Sequence, residues 1–332
     1  MKVLVLGGSH FMGRALVESA LHAGHDVTTL NRGQTGNDVA LARHIRADRT
    51  DQNVLREAIG HGSWDAVVDT WSGPAIHATA TAELLGPRVG HYGYVSSRSV
   101  YTWPIEVGLD ESHSVVEAKP SDTGHDDYAT AKRGSELGIM ASFPKALIAR
   151  AGLILGPHED VGRLPWWLQR IRRGGEILAP GPSTMKLQYI DARDLAEWMI
   201  SCAERAIGGV FNAVGPVGHT TMGELLDTTL SVTNSTGTLV WLSPEELVAS
   251  RVAPWTELPI WVPPCGELAG LHNCNVDAAI GAGLRARHVR QTVEDTWAWL
   301  QTHGPLPPQR DRPVHGLDPH REQKILQAYR RP

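Results

Sequence analysis

A tyrosine and a lysine four residues apart, Tyr128 and Lys132, are the first candidates for chemistry in this chain. On a helix this spacing places both side chains on one face, one turn apart. A free tyrosine has a pKa of about 10, so near neutral pH it neither donates nor accepts a proton readily. A fixed positive charge within a few ångströms lowers that pKa toward working pH. The pair is therefore a candidate for proton transfer, although such pairs also occur on solvated helix surfaces.

A glycine-rich turn precedes the first predicted helix. The apolar strand at residues 2–6 leads into the segment Gly7-Gly8-Ser9-His10-Phe11-Met12-Gly13. Such a turn forms a phosphate site, because backbone N–H groups and the helix dipole point at the ligand and glycines let it approach. The segment predicts a bound dinucleotide. His10, at the position of the usual middle glycine, is either a phosphate contact or a solvated turn residue.

The end of the second predicted strand carries Asn31 and Arg32, where an NAD site usually has an acid for the ribose 2′-hydroxyl. An acid would repel a 2′-phosphate, whereas Arg32 can pair with one. This favours NADP as the cofactor, with NAD as the alternative. Asp48, just after the third strand, is a candidate acceptor for the adenine amino group, and its alternative interpretation is an ordinary surface acid.

Strands and helices alternate through the first half of the chain. Apolar runs predict strands at residues 2–6, 26–30, 42–46, 65–69, 92–96 and 146–149. Helical patterns lie at residues 11–23, 54–59, 76–85 and 128–142. This alternation implies right-handed parallel crossovers, and therefore an α/β fold with a doubly wound, parallel Rossmann-type sheet.

Beyond about residue 155 the alternation breaks down and Gly and Pro become frequent. We expect a dinucleotide-binding domain at 1–155, a smaller and irregular C-terminal lobe at 156–304, and a tail at 305–332. The lobe is expected to be mainly substrate-binding, with some return to the Rossmann sheet. Residues 243–246 predict a capping box, residues 292–302 a long helix, residues 305–313 a Pro- and Arg-rich loop and residues 321–329 a last short helix.

Composition narrows the class of protein. The 332 residues are 42% hydrophobic and 20% charged, as in an ordinary globular protein of one or two domains. A net charge of −5 argues against a nucleic-acid partner. Three cysteines, no signal-peptide pattern and no bilayer-length apolar run predict a cytoplasmic protein without a membrane partner. His113 and His315 lack paired ligand spacing, so no metal site is predicted.

Four motifs in this order resemble the extended short-chain dehydrogenase/reductase superfamily. They are the glycine-rich turn, Arg32, the segment Tyr94-Val95-Ser96-Ser97-Arg98-Ser99-Val100-Tyr101 and the Tyr128–Lys132 pair. Within that superfamily the chain is similar to the NAD-dependent epimerase/dehydratase group. Its opening and its Leu-Asn-Arg-Gly segment resemble the atypical branch that includes the chloroplast stem-loop-binding proteins and many bacterial reductase-like members. The resemblance runs from residue 1 to about residue 200.

The resemblance implies roles for three side chains. Ser97 would be the catalytic hydroxyl and Tyr128 the general acid or base. Lys132 would bind the nicotinamide ribose hydroxyls and lower the pKa of Tyr128, so Tyr128 and Lys132 would also contact the cofactor. Many members of the superfamily dimerise through two helices, one of which would be the Tyr128 helix, so the resemblance allows a homodimer.

The resemblance also implies cofactor contacts outside these motifs. Trp71, Ser72 and Gly73, just past the fourth strand, would lie against the cofactor. The backbone from Ala151 to Leu153 would face the nicotinamide.

The chain departs from nucleotide-sugar enzymes of the group. Those enzymes often carry Arg-Asp where this chain has Leu187-Gln188. A buried diphosphate needs cationic partners, so a nucleotide-sugar substrate is disfavoured unless Lys186 or Arg163 substitutes.

Aromatic residues are frequent on the expected substrate side. They predict a small, apolar or flat substrate, such as an intermediate of secondary metabolism. Adjacent residues on a helix cannot both face one way, so Trp166 and Trp167 should point in different directions. The candidate contacts are Trp103, Trp166, Trp167 and Tyr189, with Trp255 and Trp261 as further candidates.

The leading prediction is an NADPH-dependent reductase of a carbonyl or C=N group, with Tyr128 as the proton donor. The same residues could serve an epimerase or dehydratase that retains its cofactor. A third alternative is a non-catalytic protein associated with a dinucleotide or with RNA, which the stem-loop-binding resemblance allows. The intact set of Ser97, Tyr128 and Lys132 argues against that third class.

Overall fold

The computed structural model describes residues 1–34, 38–124, 127–304 and 314–329. Among these residues, seven strands form one parallel sheet. The strands of the protein are β1 (Lys2–Leu6), β2 (Asp26–Asn31), β3 (Arg43–Arg46), β4 (Trp64–Asp69), β5 (Val89–Ser97), β6 (Leu147–Ala151), β7 (Leu153–Leu155), β8 (Glu176–Pro180), β9 (Lys186–Leu187), β10 (Tyr189–Asp191), β11 (Gly209–Ala213), β12 (Thr220–Thr221) and β13 (Thr238–Leu242).

Helices connect these strands and cover the sheet. They are α1 (Phe11–His22), α2 (Gln52–Ile59), α3 (Ala75–Leu85), α4 (Tyr128–Ser142), α5 (Arg163–Arg172), α6 (Ala192–Glu204), α7 (Met222–Val232), α8 (Pro244–Ala249), α9 (Asp277–Gly281), α10 (Val289–His303) and α11 (Pro319–Tyr329). Short 3₁₀ turns lie at Gly86–Arg88, Arg98–Val100 and Gly266–His272.

The central sheet has the order β11-β6-β5-β4-β1-β2-β3. Strand β1 is hydrogen-bonded to β2 on one side and to β4 on the other, so the direction of winding changes at β1. Helices α1 and α6 pack together on one face, while α3 and α4 pack together on the other. The carboxyl ends of the strands flanking this switch point form a crevice, where open α/β sheets bind their ligands.

The lobe has its own apolar core. Short strand pairs, β7 with β10, β9 with β12 and β8 with β13, pack with helices of the second half. The core includes Leu168, Leu178 and Trp261, none of which is solvent-accessible. The α/β fold with a smaller C-terminal lobe is thus confirmed. Strand β11 joins the central sheet beside β6, although it belongs to the second half of the chain.

Helix α4 begins at Tyr128 for a local reason. The Asp127 carboxylate accepts hydrogen bonds from the backbone N–H groups of Ala129 and Thr130, at 2.9 and 3.3 Å. These are first-turn donors that the helix itself cannot satisfy. The cap fixes the first residue of the helix, and with it the position of the Tyr128 side chain.

Several local expectations lie in the second half. The capping box at Ser243 and Glu246 is confirmed, with reciprocal hydrogen bonds of 2.8 and 3.2 Å. The expected last helix at residues 321–329 begins two residues earlier. The loop predicted at 305–313 lies outside the described residues. In the described part of the chain, the helices are too short or too polar to cross a bilayer.

Candidate active site

At the glycine-rich turn after β1, neighbouring atoms lie so close to the backbone that a side chain would not fit. Gly7 and Gly8 have φ angles of +115° and +99°, which L side chains rarely adopt. A Cβ on Gly7 would lie 2.6 Å from Thr70 Oγ1, and one on Gly13 would lie 2.7 Å from the Gly8 nitrogen. His10 precedes α1 in an extended conformation and makes no side-chain cap hydrogen bond. The first-turn N–H groups of α1 therefore have no side-chain cap, as an anion site at a helix N-terminus requires.

Two cavities lie along the carboxyl ends of the strands. The smaller cavity, of about 270 Å³, lies beside the ends of β1, β2 and β4. Residues expected to bind cofactor that line it are Gly7, Ser9, His10, Asn31, Arg32, Asp48, Trp71 and Ser72. The larger cavity, of about 620 Å³, lies beside β5, β6 and the lobe. Expected site residues that line it are His10, Phe11, Met12, Gly13, Ser72, Ser97, Trp103, Tyr128, Ala151 and Leu153. Since His10, Thr70 and Ser72 line both, the two cavities form one cleft.

The base of the smaller cavity is polar. Asn31 Oδ1 accepts hydrogen bonds from the Gly33 N–H at 2.8 Å and from Arg46. Asp48 accepts from the Thr50 N–H and hydroxyl, at 2.9 and 2.7 Å. These hydrogen bonds hold the pKa of the Asp48 carboxyl below its usual range. Asp48 therefore presents a carboxylate, and Arg32 a guanidinium, on the wall of this cavity.

Arg49 is a lining residue of the smaller cavity that the sequence did not reveal. It is bound to the buried Asp69 through two hydrogen bonds, of 2.7 and 2.9 Å. Asp69 also accepts from the Tyr92 hydroxyl at 2.8 Å and from the Trp71 N–H at 2.9 Å. The Arg49 guanidinium lies 4.8 Å from the centroid of the Trp71 ring. This network fixes the Trp71 ring at the cavity wall.

Two hydroxyl groups face the larger cavity. Ser97 ends β5, and its Oγ donates to Ser99 Oγ at 3.1 Å while accepting the Ser99 N–H at 3.1 Å. Tyr128, at the start of α4, is 48% exposed. Both residues line the same cavity as the backbone from Ala151 to Leu153. A hydroxyl pair beside this backbone can hydrogen-bond the oxygen of a substrate and exchange a proton with it.

Lys132 lies behind the cleft and not on its wall. It is only 3% exposed, and its Nζ donates to the carbonyl oxygens of Trp71 and Val95, at 2.5 and 2.7 Å. Nζ lies 5.9 Å from the centroid of the Tyr128 ring. Burial lowers the Lys132 pKa to about 7, although the Asp69 and Glu136 carboxylates oppose that shift. Two of the three ammonium donors are used by the protein itself, which leaves one for another group.

Several predicted substrate contacts line neither cavity of the cleft. Trp167 is fully buried in the lobe core, where its indole N–H donates to the Pro259 carbonyl at 2.7 Å. Tyr189 is 1% exposed and packs against His219, and Trp261 is fully buried. Trp166 packs against Trp167 and the backbone of Gly316.

Gly73 lines neither cavity, and a Cβ on it would lie 2.7 Å from the Trp71 ring. Gly73 therefore makes room for the Trp71 side chain.

The apolar part of the larger cavity comes from other residues. Trp103 lines it together with Trp255, one of the two further tryptophan candidates. Arg163, a candidate replacement for the missing cation, also lines it, with its guanidinium 5.0 Å from the Trp255 ring centroid. The lining residues that were not predicted as site residues are Thr70, Arg98, Ser99, Ile105, Ile154, Asp160, Val161 and Leu271. Arg98 had a visible signal, since this charged residue directly follows Ser97 at the end of the fifth strand.

Among the described residues, no group of three or more His, Cys, Asp or Glu side chains is placed to hold a metal ion. The His113 ring lies 3.2 Å from the Asp110 carboxylate and 3.5 Å from the Glu106 carboxylate.

Curated relatives cover part of the chain. A 2-alkyl-3-oxoalkanoate reductase of Stenotrophomonas maltophilia is 28% identical over 221 residues, which are 60% of this chain and 64% of that protein. A chloroplast stem-loop binding protein of 41 kDa from Arabidopsis thaliana is 24% identical, over 64% and 58% of the two chains. A bifunctional pinoresinol-lariciresinol reductase of Linum perenne is 24% identical, over 61% and 65%. The match thus spans less than two-thirds of the length of these relatives.

Solved structures share the fold. A UDP-glucose 4-epimerase superimposes with a TM-score of 0.66 at 16% identity, over 93% of this chain and all of that one. The Bordetella bronchiseptica enzyme WbmH, solved in complex with NAD+, gives a TM-score of 0.68 at 16% identity, over 91% and 99%.

The sequence profile of one family matches most of the first 214 residues of the chain. It is described as the NAD dependent epimerase/dehydratase family, and it matches residues 3–85 and 76–214. These segments include the glycine-rich turn, the end of β5 with Ser97, and α4 with Tyr128 and Lys132. The chain belongs to the NAD-dependent epimerase/dehydratase family.

Proposed function

We propose that this protein is an NADPH-dependent reductase of a carbonyl or C=N group on a small, apolar or flat metabolite, with Tyr128 as the proton donor. The observation that carries the proposal is the shared cavity of Ser97, Tyr128 and the backbone from Ala151 to Leu153. Among the relatives, two kinds of protein are named as reductases, of pinoresinol-lariciresinol and of a 2-alkyl-3-oxoalkanoate.

The residues of the cleft fit a dinucleotide. A Cβ on Gly7 or on Gly13 would fill the narrow space at the glycine-rich turn. The N-terminus of α1 has no side-chain cap. Gly7, Ser9, His10, Phe11, Met12 and Gly13 would hold the pyrophosphate, and Asn31, Arg32, Asp48, Trp71 and Ser72 the adenosine half. When bound, the cofactor supplies or accepts a hydride.

The protein's own groups handle the proton and the oxygen. Ser97 and Tyr128 hydrogen-bond the substrate oxygen, and the Tyr128 hydroxyl donates its proton as negative charge develops there. The Lys132 ammonium, 5.9 Å from the Tyr128 ring centroid, stabilises the resulting phenolate through its charge. Trp103 and Trp255 would exclude water and hold the apolar body of the substrate.

Replacing Tyr128 by Phe tests the proton donor. We expect Tyr128→Phe to lower kcat by about 10²–10⁴-fold, because the general acid is lost while the ring remains. NADPH affinity, measured by fluorescence titration, should stay within about twofold of the wild-type value. Tyr329→Phe, which removes a hydroxyl on α11, is the matched control and should keep its turnover. Unchanged turnover in Tyr128→Phe would contradict this mechanism.

Arg32 is proposed to select NADP. With Asn31 instead of an acid at the end of β2, Arg32 is the cation that lines the smaller cavity next to that strand end. A charge-assisted pair with a 2′-phosphate stabilises binding by about 1.5–3 kcal/mol. Arg32→Glu should therefore weaken NADPH binding by about tenfold or more and leave NADH binding little changed. Arg285→Glu, an exposed site with the same change of charge, is the control. A wild-type protein that binds both cofactors equally would contradict the proposal.

The alternative function is an epimerase or dehydratase that retains its cofactor, which the family assignment supports. The number of NADPH molecules consumed for each product distinguishes a reductase from an epimerase or dehydratase. A reductase consumes one NADPH for each product in a screen of aryl ketones, 3-oxo acids, their esters and imines, whereas an epimerase or dehydratase turns over without net oxidation. The third alternative, association with RNA, rests on the stem-loop binding relative. Salt-dependent retention of RNA would favour it over a metabolic enzyme.

A further inference from the structure

One buried cation of the larger cavity has no counter-ion among the residues that the structure describes. Arg98, directly after Ser97, is 4% exposed and lines the cavity. Its Nη1 donates to Gln188 Oε1 at 3.4 Å and to the Leu271 carbonyl at 3.1 Å, and its Nη2 donates to the Gly270 carbonyl at 3.1 Å. All three acceptors are neutral. Among the described residues, no carboxylate is paired with this guanidinium.

The hydrogen bonds leave part of the guanidinium unused. A guanidinium has five N–H donors in a planar fork and keeps its charge in proteins. Three are used here, which leaves Nε–H and one N–H of Nη2. Nε is sealed from water and has no partner among the described residues. A buried charge without a counter-ion costs several kcal/mol, so proteins usually pair it. Since no described residue supplies the negative charge, a ligand in the cavity is the candidate source.

Arg163, the other arginine of this cavity, is in a different situation. Its backbone N–H donates to the buried Glu159 carboxylate at 2.7 Å. Burial raises the Glu159 pKa to about 7, and the Arg163 charge opposes that rise, so the two groups interact. Asp160, which also lines the cavity, lies three residues before Arg163 in the sequence. Arg163 therefore has acidic neighbours within the protein, whereas Arg98 has neutral ones.

The other lining residues indicate what kind of molecule would carry the anion. Trp103, Trp255 and Leu271 give the cavity an apolar wall, and Ser97 and Ser99 are the hydroxyls next to Arg98. We propose that the substrate carries a carboxylate, held by the charge of Arg98, on an apolar or flat body that packs against Trp103 and Trp255. The inference rests on the proposed reductase function and narrows its substrate class to carbonyl compounds that are also carboxylic acids.

The test is a binding comparison that needs no turnover. Isothermal titration of the protein–NADP+ complex is carried out with cinnamate and with cinnamamide, which have the same flat body but differ in charge. We expect cinnamate to bind at least about tenfold more tightly. In Arg98→Gln the preference should disappear while the cinnamamide affinity is unchanged. In Trp103→Ala both affinities should fall together, since the apolar contact is common to both probes.

Three results would overturn the carboxylate site. They are equal wild-type affinities for the two probes, a preference that survives in Arg98→Gln, and tighter binding of phenyl phosphate than of cinnamate. If Arg98→Gln does not bind NADP+, the preference for cinnamate over cinnamamide is measured in Arg163→Gln instead. Loss of the preference there contradicts the assignment to Arg98, and its persistence supports Arg98. A cinnamate preference without NADPH oxidation by any carbonyl compound would contradict the reductase and leave the carboxylate site standing.

Discussion

Lys132 carries a charge that its surroundings make costly. Burial lowers its pKa from 10.5 to about 7, with two neutral carbonyls as its hydrogen-bond acceptors. In the unfolded chain the same group keeps its proton to about pH 10.5. Between these values the unfolded state binds more protons than the folded state, so the free energy of unfolding rises with pH. The favourable contribution is complete above about pH 10.5 and is lost as the pH falls through about 7.

A comparison with Lys132→Met measures this contribution. The unfolding free energy of the wild type minus that of Lys132→Met should increase with pH between about 7 and 10.5, by up to about 1.4 kcal/mol per pH unit. Urea unfolding at several pH values provides the difference and cancels groups common to both proteins. A difference that is flat over this range would show that Lys132 keeps its proton in the folded protein.

Residues whose chemistry depends on local spacing could be predicted from the sequence. The Tyr128–Lys132 spacing, the glycine-rich turn and Arg32 are of this kind, and the structure places all but Lys132 on the cleft wall. Arg49 could not be predicted, because its partner Asp69 lies on another strand 20 residues away. The positions of Trp167 and Tyr189 could not be predicted from the sequence, because aromatic residues suit a core and a pocket equally well. Only the packing of α5 and β10 against the lobe core distinguishes the two.

The pairing of α3 with α4 positions the Tyr128 helix. Gly138 of α4 lies against α3, so closely that a Cβ added there would be 2.8 Å from the Cβ of Thr79. Thr79 is itself fixed by hydrogen bonds to the carbonyls of Ala75 and Pro120, at 3.1 and 2.9 Å. The helices must therefore separate to accept a methyl group at residue 138.

We expect Gly138→Ala to reduce the free energy of unfolding by about 1–3 kcal/mol, the usual cost of overpacking. Gly281→Ala is the matched control, since a Cβ at that helical glycine meets open space. Its stability should be unchanged or slightly higher, because alanine favours helix. Chemical denaturation of both variants decides the matter, and equal stabilities would contradict the close contact of α3 and α4.

Most long elements of the first half could be predicted from periodicity. Helix α4 has the bounds that its pattern indicates, because Asp127 caps one end and Pro144 follows the C-cap residue Phe143 at the other. Strand β5 begins three residues before the predicted start, since Val89–His91 pair with β4 without forming an apolar run. Strands of two or three residues, such as β7 and β9, have no period to detect. These strands form because β7 pairs with β10 and β9 pairs with β12.

At the scale of the whole molecule, a buried ion pair attaches the C-terminal helix to the lobe. Glu322 of α11 accepts from Arg170 Nε at 2.6 Å and from the Leu178 N–H at 3.1 Å. Both side chains are less than 10% exposed. Removing one partner of a buried pair leaves an uncompensated charge, which typically costs about 3–5 kcal/mol.

Glu322→Gln should therefore destabilise the protein by about 3–5 kcal/mol, as measured by urea unfolding. The exposed pair of Arg290 and Glu294 provides the control. There Glu294→Gln should change stability by less than about 0.5 kcal/mol. A small effect of Glu322→Gln would indicate that α11 detaches without cost to the rest of the fold.

The place of β11 in the central sheet also bears on synthesis of the chain. β11 spans Gly209–Ala213 and pairs with β6, which ends at Ala151, so 57 intervening residues are made before the two strands can meet. Until then, the growing chain presents β6 as an unpaired edge, a template for association with other chains. A fragment ending near residue 155 would keep that edge permanently. Cutting the protein near residue 155 would therefore expose a sheet edge that the intact chain covers with β11.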